Sequence, residues 1–431
     1  MSRGEQALPV QKPLLTPGVF VLLGLVAVGL GFAVYRYLFG LGAVSNLSDS
    51  YPWGIWIGID VAAGVALAAG GFTTATLAFI FQRDQYRPIA RPALLTAMLG
   101  YTFVALSLLV DLGRYYNIWH PLLPSMWQGD SALFEVAMCV MAYLTVLYLE
   151  FVPVLLEGLR GKLHLPAPLH RLHGPVEALL QKGWFQSLVG LLERSFGRVL
   201  FLLVIAGVVL SCLHQSSLGA LMVIAPYKVH PLWYTPVLTL LFLLSAIAVG
   251  YPVVIFESVL AARTFGRKPE MHLLSGLARF VPPLLGLYLA AKICDLVIRG
   301  AYRYLLEGSF QSFMFLVELG LGVLLPFLMF LSERVRRSQA GLFVSATLVV
   351  LGVVLNRVNV FVVAYKPLYA TKTYVPAIGE VAVTVAMISA LVLCYRLIVS
   401  ILPVIPAAEE DPAQMMRTSR ERTEPEPGKA C

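Results

Sequence analysis

The sequence predicts an all-α membrane protein of ten transmembrane helices: two parallel four-helix bundle repeats plus two C-terminal helices, with both termini cytoplasmic. Three observations carry this. The chain is 58% hydrophobic and 13% charged over 431 residues, with a mean hydropathy of +0.79, far outside soluble composition. Apolar runs near the roughly 20 residues needed to cross a bilayer recur ten times. One pattern of charge is also written twice. Asp111-Leu112-Gly113-Arg114-Tyr115-Tyr116 ends the third run and Glu135 follows on the fourth; Asp295-Leu296-Val297-Ile298-Arg299, then Tyr302 and Tyr304, ends the seventh and Glu318 follows on the eighth. The Asp-to-Glu separations are 24 and 23 residues, and Trp53 and Trp233, each opening a run after a Tyr- and Pro-bearing loop, lie 180 apart. A unit of four spans keeps its orientation, so the repeat is parallel, about an axis along the membrane normal.

In chain order, residues 1–16 read as a cytoplasmic N-terminal tail. Spans are expected at 17–39, 53–80, 93–113, 131–156, 198–224, 232–260, 272–298, 309–331, 340–364 and 377–402. The first is too long for a signal-peptide core and lacks a convincing cleavage pattern, so it is expected to be retained. The first bundle is expected over 17–156, the second over 198–335, and the two additional spans over 336–404. The connecting loop 157–197 places Val176, Leu179, Leu180, Trp184, Leu188, Leu191 and Leu192 among Lys182, Gln186 and Arg194. That pattern is an interfacial helix on the inner leaflet, or alternatively a partner-docking helix. Residues 405–431, rich in Glu, Arg and Pro, read as a disordered cytoplasmic tail.

Loops alternate in basic content. One side receives Arg83, Arg87, Arg91, Arg160, Lys162, Arg171, Lys182, Arg194, Arg263, Arg267, Lys268, Arg334, Arg336 and Arg337; the other receives few. Basic loops stay in the cytoplasm. The net charge of +8 follows from these loops and implies no nucleic-acid partner.

What is missing narrows the chemistry. Five scattered cysteines without CxxC spacing write no iron–sulfur or zinc site. Of seven histidines, His214 alone lies deep in a span, and a transmembrane b haem generally takes two imidazoles from facing spans. The expectation is therefore no haem, no metal site and no cofactor held covalently. There is no Walker loop or dinucleotide fingerprint. Redox work would need electrons from a partner docked at one face and a lipid-soluble oxidant reaching the same face.

Depth along each span, at about 1.5 Å per residue, places Asp60, Glu135, Glu318, Asp111, His214, Asp295 and Arg357 in the outer half of the bilayer, and Glu150 and Glu257 in the inner half. On the fourth span Cys139, Tyr143, Glu150 and Glu157 fall on the face of Glu135, which makes a polar stripe the length of the helix. It reads as a proton relay through Glu135, Tyr143 and Glu150, with Asp60 near its outer end. The alternative is buried carboxylates pairing with Arg114 or Arg279 to fix packing. His214-Gln215-Ser216-Ser217 suits a quinone carbonyl, or else a hydrogen-bonded helix contact. Lys228 and His230 suit a partner or a quinone head group, or interfacial anchoring. With Asp111, Arg114 and Tyr115 these form the quinone-binding candidates; Asp295, Arg299 and Glu318 are the second-repeat charges. Tyr51, Trp53, Trp56, Trp119, Trp127, Trp233 and Tyr234 read as an interfacial belt.

Several of these strings together resemble a family: Tyr51-Pro52-Trp53-Gly54-Ile55-Trp56, Asp111-Leu112-Gly113-Arg114-Tyr115, Leu133-Phe134-Glu135, Leu149-Glu150-Phe151, His214-Gln215-Ser216-Ser217 and Tyr227-Lys228-Val229-His230-Pro231-Leu232-Trp233. They look like the HybB integral membrane subunits of hydrogenase-2-type nickel–iron hydrogenases, within the NrfD/PsrC polysulfide reductase membrane-anchor superfamily. The resemblance runs from about Leu38 to Pro406 and stops at the tail. It implies a haem-free, quinone-reactive anchor in the bacterial inner membrane, not catalytic for hydrogen on its own. Its partners would be a periplasmic ferredoxin-like iron–sulfur subunit and the large and small hydrogenase subunits. Electrons would pass from H2 to menaquinone or ubiquinone near the periplasmic face, with acids matching Glu135 and Glu150 in proton transfer. Similar anchors serve other periplasmic oxidoreductases, molybdoenzymes or multi-haem cytochromes. Two other classes compete: a secondary transporter, whose polar groups should cluster at the midplane, and a purely structural anchor.

Overall fold

The computed structural model describes residues 7–166, 173–370 and 372–406. Ten helices are long and apolar enough to cross a membrane: α1 Pro17–Phe39, α2 Trp56–Ile80, α3 Asp84–Asp111, α4 Ala132–Arg160, α5 Gly183–Val223, α6 Leu238–Phe265, α7 Met271–Ile298, α8 Phe310–Leu331, α9 Gln339–Val363 and α10 Ile378–Ile401. Among the described residues there is no β-sheet, only isolated bridges. This is a multi-pass, all-α membrane protein. Its helices alternate in direction, which gives an aromatic end, bearing Trp53, Trp119, Trp127 and Trp233, and a basic end, bearing Arg83, Arg263 and Arg334.

The packing shifts the expected bundles by one helix. The pairs α2–α3, α3–α4, α4–α5 and α5–α2 close one four-helix bundle, and α6–α7, α7–α8, α8–α9 and α9–α6 close the second. Helix α2 packs across onto α6 and α9, while α1 and α10 pair with each other outside, α10 resting on α3. The units are thus α2–α5 and α6–α9, rather than 17–156 and 198–335, and the extra helices are the first and last. The physical reason is that a repeat offset gives a period and leaves the phase free. Where α8 crosses α9 two glycines meet backbone to backbone, and a Cβ on Gly322 would sit 2.5 Å from the Cα of Gly352.

Both described ends of the chain lie together. Leu8 N–H donates to Ile405 O at 3.1 Å and Val10 N–H to Val399 O at 2.9 Å. Residues 7–16 are therefore packed against α10, with Val10 buried. The tail expected to be disordered lies, beyond Pro406, outside the described residues. The stretch expected as one interfacial helix divides. His173–Leu180 is a short helix, and from Gly183 the chain runs unbroken into α5, 41 residues, or about 60 Å. An amphipathic face says which side is apolar, not which way the axis points. Arg160 of α4 and Glu193 of α5 pair at 2.7 Å beside this extension.

Candidate functional site

A polar column fills the seam between α4 and α5. On α5, Gly207, Ser211, His214 and Ser217 recur at helical spacing and share one face. At the aromatic end of the column Ser217 Oγ donates to Glu135 Oε1 at 2.5 Å. In its middle the rings of Tyr101 (α3) and Tyr143 (α4) meet edge-on at 4.6 Å, and His214 lies 5.7 Å from Tyr101. Toward the basic end the Glu150 carboxylate lies against Gly207, where a Cβ would come within 2.7 Å of Oε1; only glycine makes that room. Gln215 Nε2 donates to Val65 O at 2.8 Å. Both ring nitrogens of His214 are buried without a hydrogen-bond partner, while Tyr101 Oη lies within reach of Ser211 and Gln215 and Tyr143 Oη within reach of Ser211. An unpartnered buried ring nitrogen costs about 1–3 kcal/mol, so an orphaned imidazole inside a polar column asks for a reason beyond packing. Neither Arg114 nor Arg279 forms an ion pair with Glu135 or Glu150; both arginines are exposed. Glu157, at the end of the stripe, pairs with Arg91 at 2.9 Å.

A second group gathers at the aromatic end of α2, α3 and α10. Asp60 accepts from Thr384 Oγ1 at 2.9 Å. It sits in a wide π-helical segment, Trp56–Ala63, a geometry frequent at functional sites. Asp111 lies within electrostatic reach of Asp60, Glu380 and Arg36, yet its Oδ1 is buried and unpartnered. Arg36 spends its donors on main chain, Nε to Val110 O at 2.7 Å and Nη2 to Leu112 O, which caps the C-terminus of α3. Its guanidinium also lies 4.9 Å from the Tyr115 ring. Glu380 is fully occupied by Tyr374 Oη at 2.5 Å and the Ala377 and Asn46 N–H groups. Tyr374, in the loop before α10, has its pKa raised, first by burial and then by this bond to the carboxylate.

The second bundle holds a closed charge network. Glu318 (α8) accepts from Lys292 (α7), from Trp233 Nε1, and from the Nδ2 atoms of Asn356 and Asn359 (α9), the last three each at 2.8 Å. Arg357, completely buried, bonds Asn356 Oδ1 at 2.7 Å and Ser245 Oγ at 2.9 Å and lies 3.7 Å over the Phe242 ring. Nearby, Arg299 clamps Asp295, with Nη2 to Oδ2 at 2.7 Å, and Thr235 donates to Asp295 at 2.6 Å.

The quinone-binding candidates are not brought into one pocket. Asp111 and Tyr115 join the second group, and exposed Arg114 adjoins it. His214 and Gln215 are in the column, while Ser216 Oγ turns back to Leu213 O at 2.8 Å. Lys228 and His230 lie on the loop bridged to Tyr365. There burial, and then Lys366, lowers the His230 pKa, and its Nδ1 accepts from Leu232 N–H at 3.3 Å. The aromatic belt also divides. Trp119 and Trp127 are half exposed, whereas Trp56 and Trp233 are buried donors to Glu380 O and to Glu318. Sequence reasoning missed Lys292, a lone Lys inside a span and so a visible signal. It also missed Arg36 and Glu380, whose partners are too distant in sequence to read.

The family profile of polysulphide reductase, NrfD, matches residues 43–368. The chain is 32% identical over 405 residues to an Escherichia coli (strain K12) protein named "Probable Ni/Fe-hydrogenase 2 b-type cytochrome subunit", with 93% of this chain and 94% of that one covered. It is 27% identical over 403 residues to the menaquinone reductase integral membrane subunit of Nitratidesulfovibrio vulgaris (strain Hildenborough), with 88% and 89% covered. It is 24% identical over 419 residues to a selenate reductase component of Mesobacillus selenatarsenatis, with 91% and 95% covered. The first of these names corrects the expectation that such a subunit is haem-free. That expectation counted only pairs of imidazoles on facing spans, whereas one imidazole can suffice as the protein ligand of a haem iron. The residues fit one such ligand: His214 is buried with both nitrogens unpartnered.

Proposed function

The chain belongs to the NrfD polysulphide reductase family, and from that premise we propose that it is the quinone-reactive inner-membrane subunit of a hydrogenase-2-type oxidoreductase. The observation that carries this reading is the buried polar column of Tyr143, Tyr101, Ser211, His214 and Ser217, which runs from Glu150, toward the basic end, to Glu135 at the aromatic end. Reducing a quinone to a quinol takes two electrons and two protons. The electrons come from an iron–sulfur partner at the aromatic end, which the basic loops orient toward the periplasm. Asp111, with one free oxygen and flanked by Asp60, Tyr115 and Arg114, is the group that hands a proton to the quinone oxygen. Lys228 and His230, on the loop at the same end, face the partner. Glu150, Tyr143 and Glu135 bring protons from the basic end. Haem b, where bound, supplies one-electron transfer, and His214 is the residue that would ligate it. A second reading, the same anchor beside a different oxidoreductase, is favoured by the relatives named for menaquinone and selenate reductases.

The test is Asp111→Asn in the purified complex. Quinone reduction by H2 should fall at least ~100-fold, the scale of a lost general acid, while reduction of a soluble dye that takes electrons upstream is unchanged. Quinone activity at the native level would remove Asp111 from the site. Nickel in the co-purified complex would favour hydrogenase over the second reading.

A further inference from the structure

At the basic end the loop between α2 and α3, the first turns of α7 and the loop between α8 and α9 enclose a cavity of about 580 Å³. Its wall carries the guanidiniums of Arg83, Arg279 and Arg337 together with His272, and no Asp or Glu. Arg83 and Arg279 have no carboxylate partner among the described residues, and Arg337 has only its exposed helix neighbour Glu333, at 2.5 Å. The remaining wall is largely apolar, with Tyr86, Phe280, Met271 and Leu273 beside the neutral polar Gln85 and Ser275.

The backbone builds this concavity. Gln82 takes a left-handed conformation, φ 53°, unusual for a residue with a side chain, and turns the chain back so that Arg83 N–H reaches Leu77 O at 3.2 Å. Gly276 leaves room for the Tyr86 hydroxyl, which a Cβ there would meet at 2.8 Å. A 3-10 turn at Ala278–Phe280 then carries α7 into Pro282 and Pro283, swinging Arg279 onto the rim. The apolar run of α7 starts at Leu273, so the cavity straddles the boundary between polar loops and hydrocarbon.

We propose that this cavity binds the phosphate of an anionic phospholipid headgroup. Guanidiniums match phosphate oxygens with a planar fork of donors, and a basic pocket between spans at the cytoplasmic surface has the chemistry for such headgroups. Orientation alone asks for basic charge without a cavity. In the same loop Arg336 is spent on the carbonyls of Phe330 and Leu331, at 2.5 and 2.9 Å, while Arg83 and Arg279 keep their forks uncommitted and Arg337 shares one donor with Glu333. The apolar wall beside the charges suits glycerol and acyl carbons, which a soluble phosphate lacks.

The experiment uses the full-length chain, delipidated in neutral detergent, with binding of cardiolipin, phosphatidylcholine and inorganic phosphate followed by native mass spectrometry and by thermal unfolding. Cardiolipin should bind and raise the unfolding temperature; phosphatidylcholine and inorganic phosphate should do neither. Losing one surface cation weakens an anionic-lipid contact about fivefold. Arg83→Gln/Arg279→Gln/Arg337→Gln should therefore bind cardiolipin about 100-fold more weakly, with lipid-free stability unchanged, and Arg194→Gln, on the α5 extension, should bind as wild type. Should the triple variant misfold, Arg279→Gln alone carries the test at about fivefold. Native cardiolipin affinity in the folded variant overturns the site. Inorganic phosphate binding as tightly as cardiolipin overturns the lipid assignment.

Discussion

Lys292→Met should be among the most damaging single changes in this chain. It removes the cation from Glu318 while leaving that carboxylate buried among Trp233, Asn356 and Asn359. Breaking a buried ion pair from one side costs about 3–5 kcal/mol, because the remaining charge is uncompensated. The three surviving donors keep the expected loss at the lower end, about 3 kcal/mol. Replacing both partners should cost far less. In Lys292→Met/Glu318→Gln the amide oxygen, at the Oε2 position, still accepts from Trp233 and Asn359; only Asn356 loses its acceptor and no charge is stranded, so the double variant should lie within about 1–2 kcal/mol of wild type. The coupling would then be about 2 kcal/mol or more, well above the scatter of a double-mutant cycle. Equilibrium unfolding of the detergent-solubilised protein, followed by far-ultraviolet circular dichroism, measures all four corners. A Lys292→Met cost below about 1 kcal/mol would refute the reasoning, since it would mean that Glu318 is neutral and the network is not ionic.

Three further outcomes follow. Gly322→Val should destabilise by at least ~1–3 kcal/mol, because its Cβ would collide with backbone at Gly352 and no side chain can yield; unfolding of the variant checks this. Tyr374→Phe should lose about 1–3 kcal/mol, since it takes a donor from buried Glu380 and an acceptor from Ile55 N–H; the same unfolding assay reads it. His230 has a folded pKa below its unfolded one, so the unfolded chain takes up the proton first. Stability should therefore fall as pH drops through the ordinary histidine range, and His230→Asn should flatten that part of a thermal-stability profile.

Much of the fold was legible because apolar runs report span number directly, and the first turns of most helices lie where the sequence placed them. The column was partly legible for the same reason: Glu135, Tyr143 and Glu150 share a face by helical period alone, and Gly207, Ser211, His214 and Ser217 do so on the next helix. What could not be read was which helix lies against which. The duplicated Asp and Glu gave the period but let the bundles be drawn one helix early. The same gap hid Arg36 on the end of α3 and Glu380 beside Trp56, contacts that join α1 and α10 to the first bundle across 74 and 324 residues of chain. Trp56 and Trp233 were misread as belt residues because a Trp near a span end is usually there for the interface. Here each indole N–H finds a buried oxygen. Lys292 was overlooked, although a single Lys within a span is as readable as the Asp three residues after it.

The most direct test of the account is Glu150→Gln in oriented proteoliposomes, with the aromatic end outside and the basic end in the lumen. The substitution keeps volume and hydrogen bonding beside Gly207 but removes the titratable proton. In the wild-type complex, donor oxidation at the outer face should reduce quinone with protons drawn from the lumen. The lumen should turn alkaline, and turnover should slow against an opposing potential at about 2.3 kcal/mol per charge per 100 mV. The Gln variant should assemble, keep dye reduction, and lose either quinone turnover or the lumenal pH change. A variant that turns over and alkalinises the lumen as wild type does would contradict the account, and would leave the seam between α4 and α5 as packing.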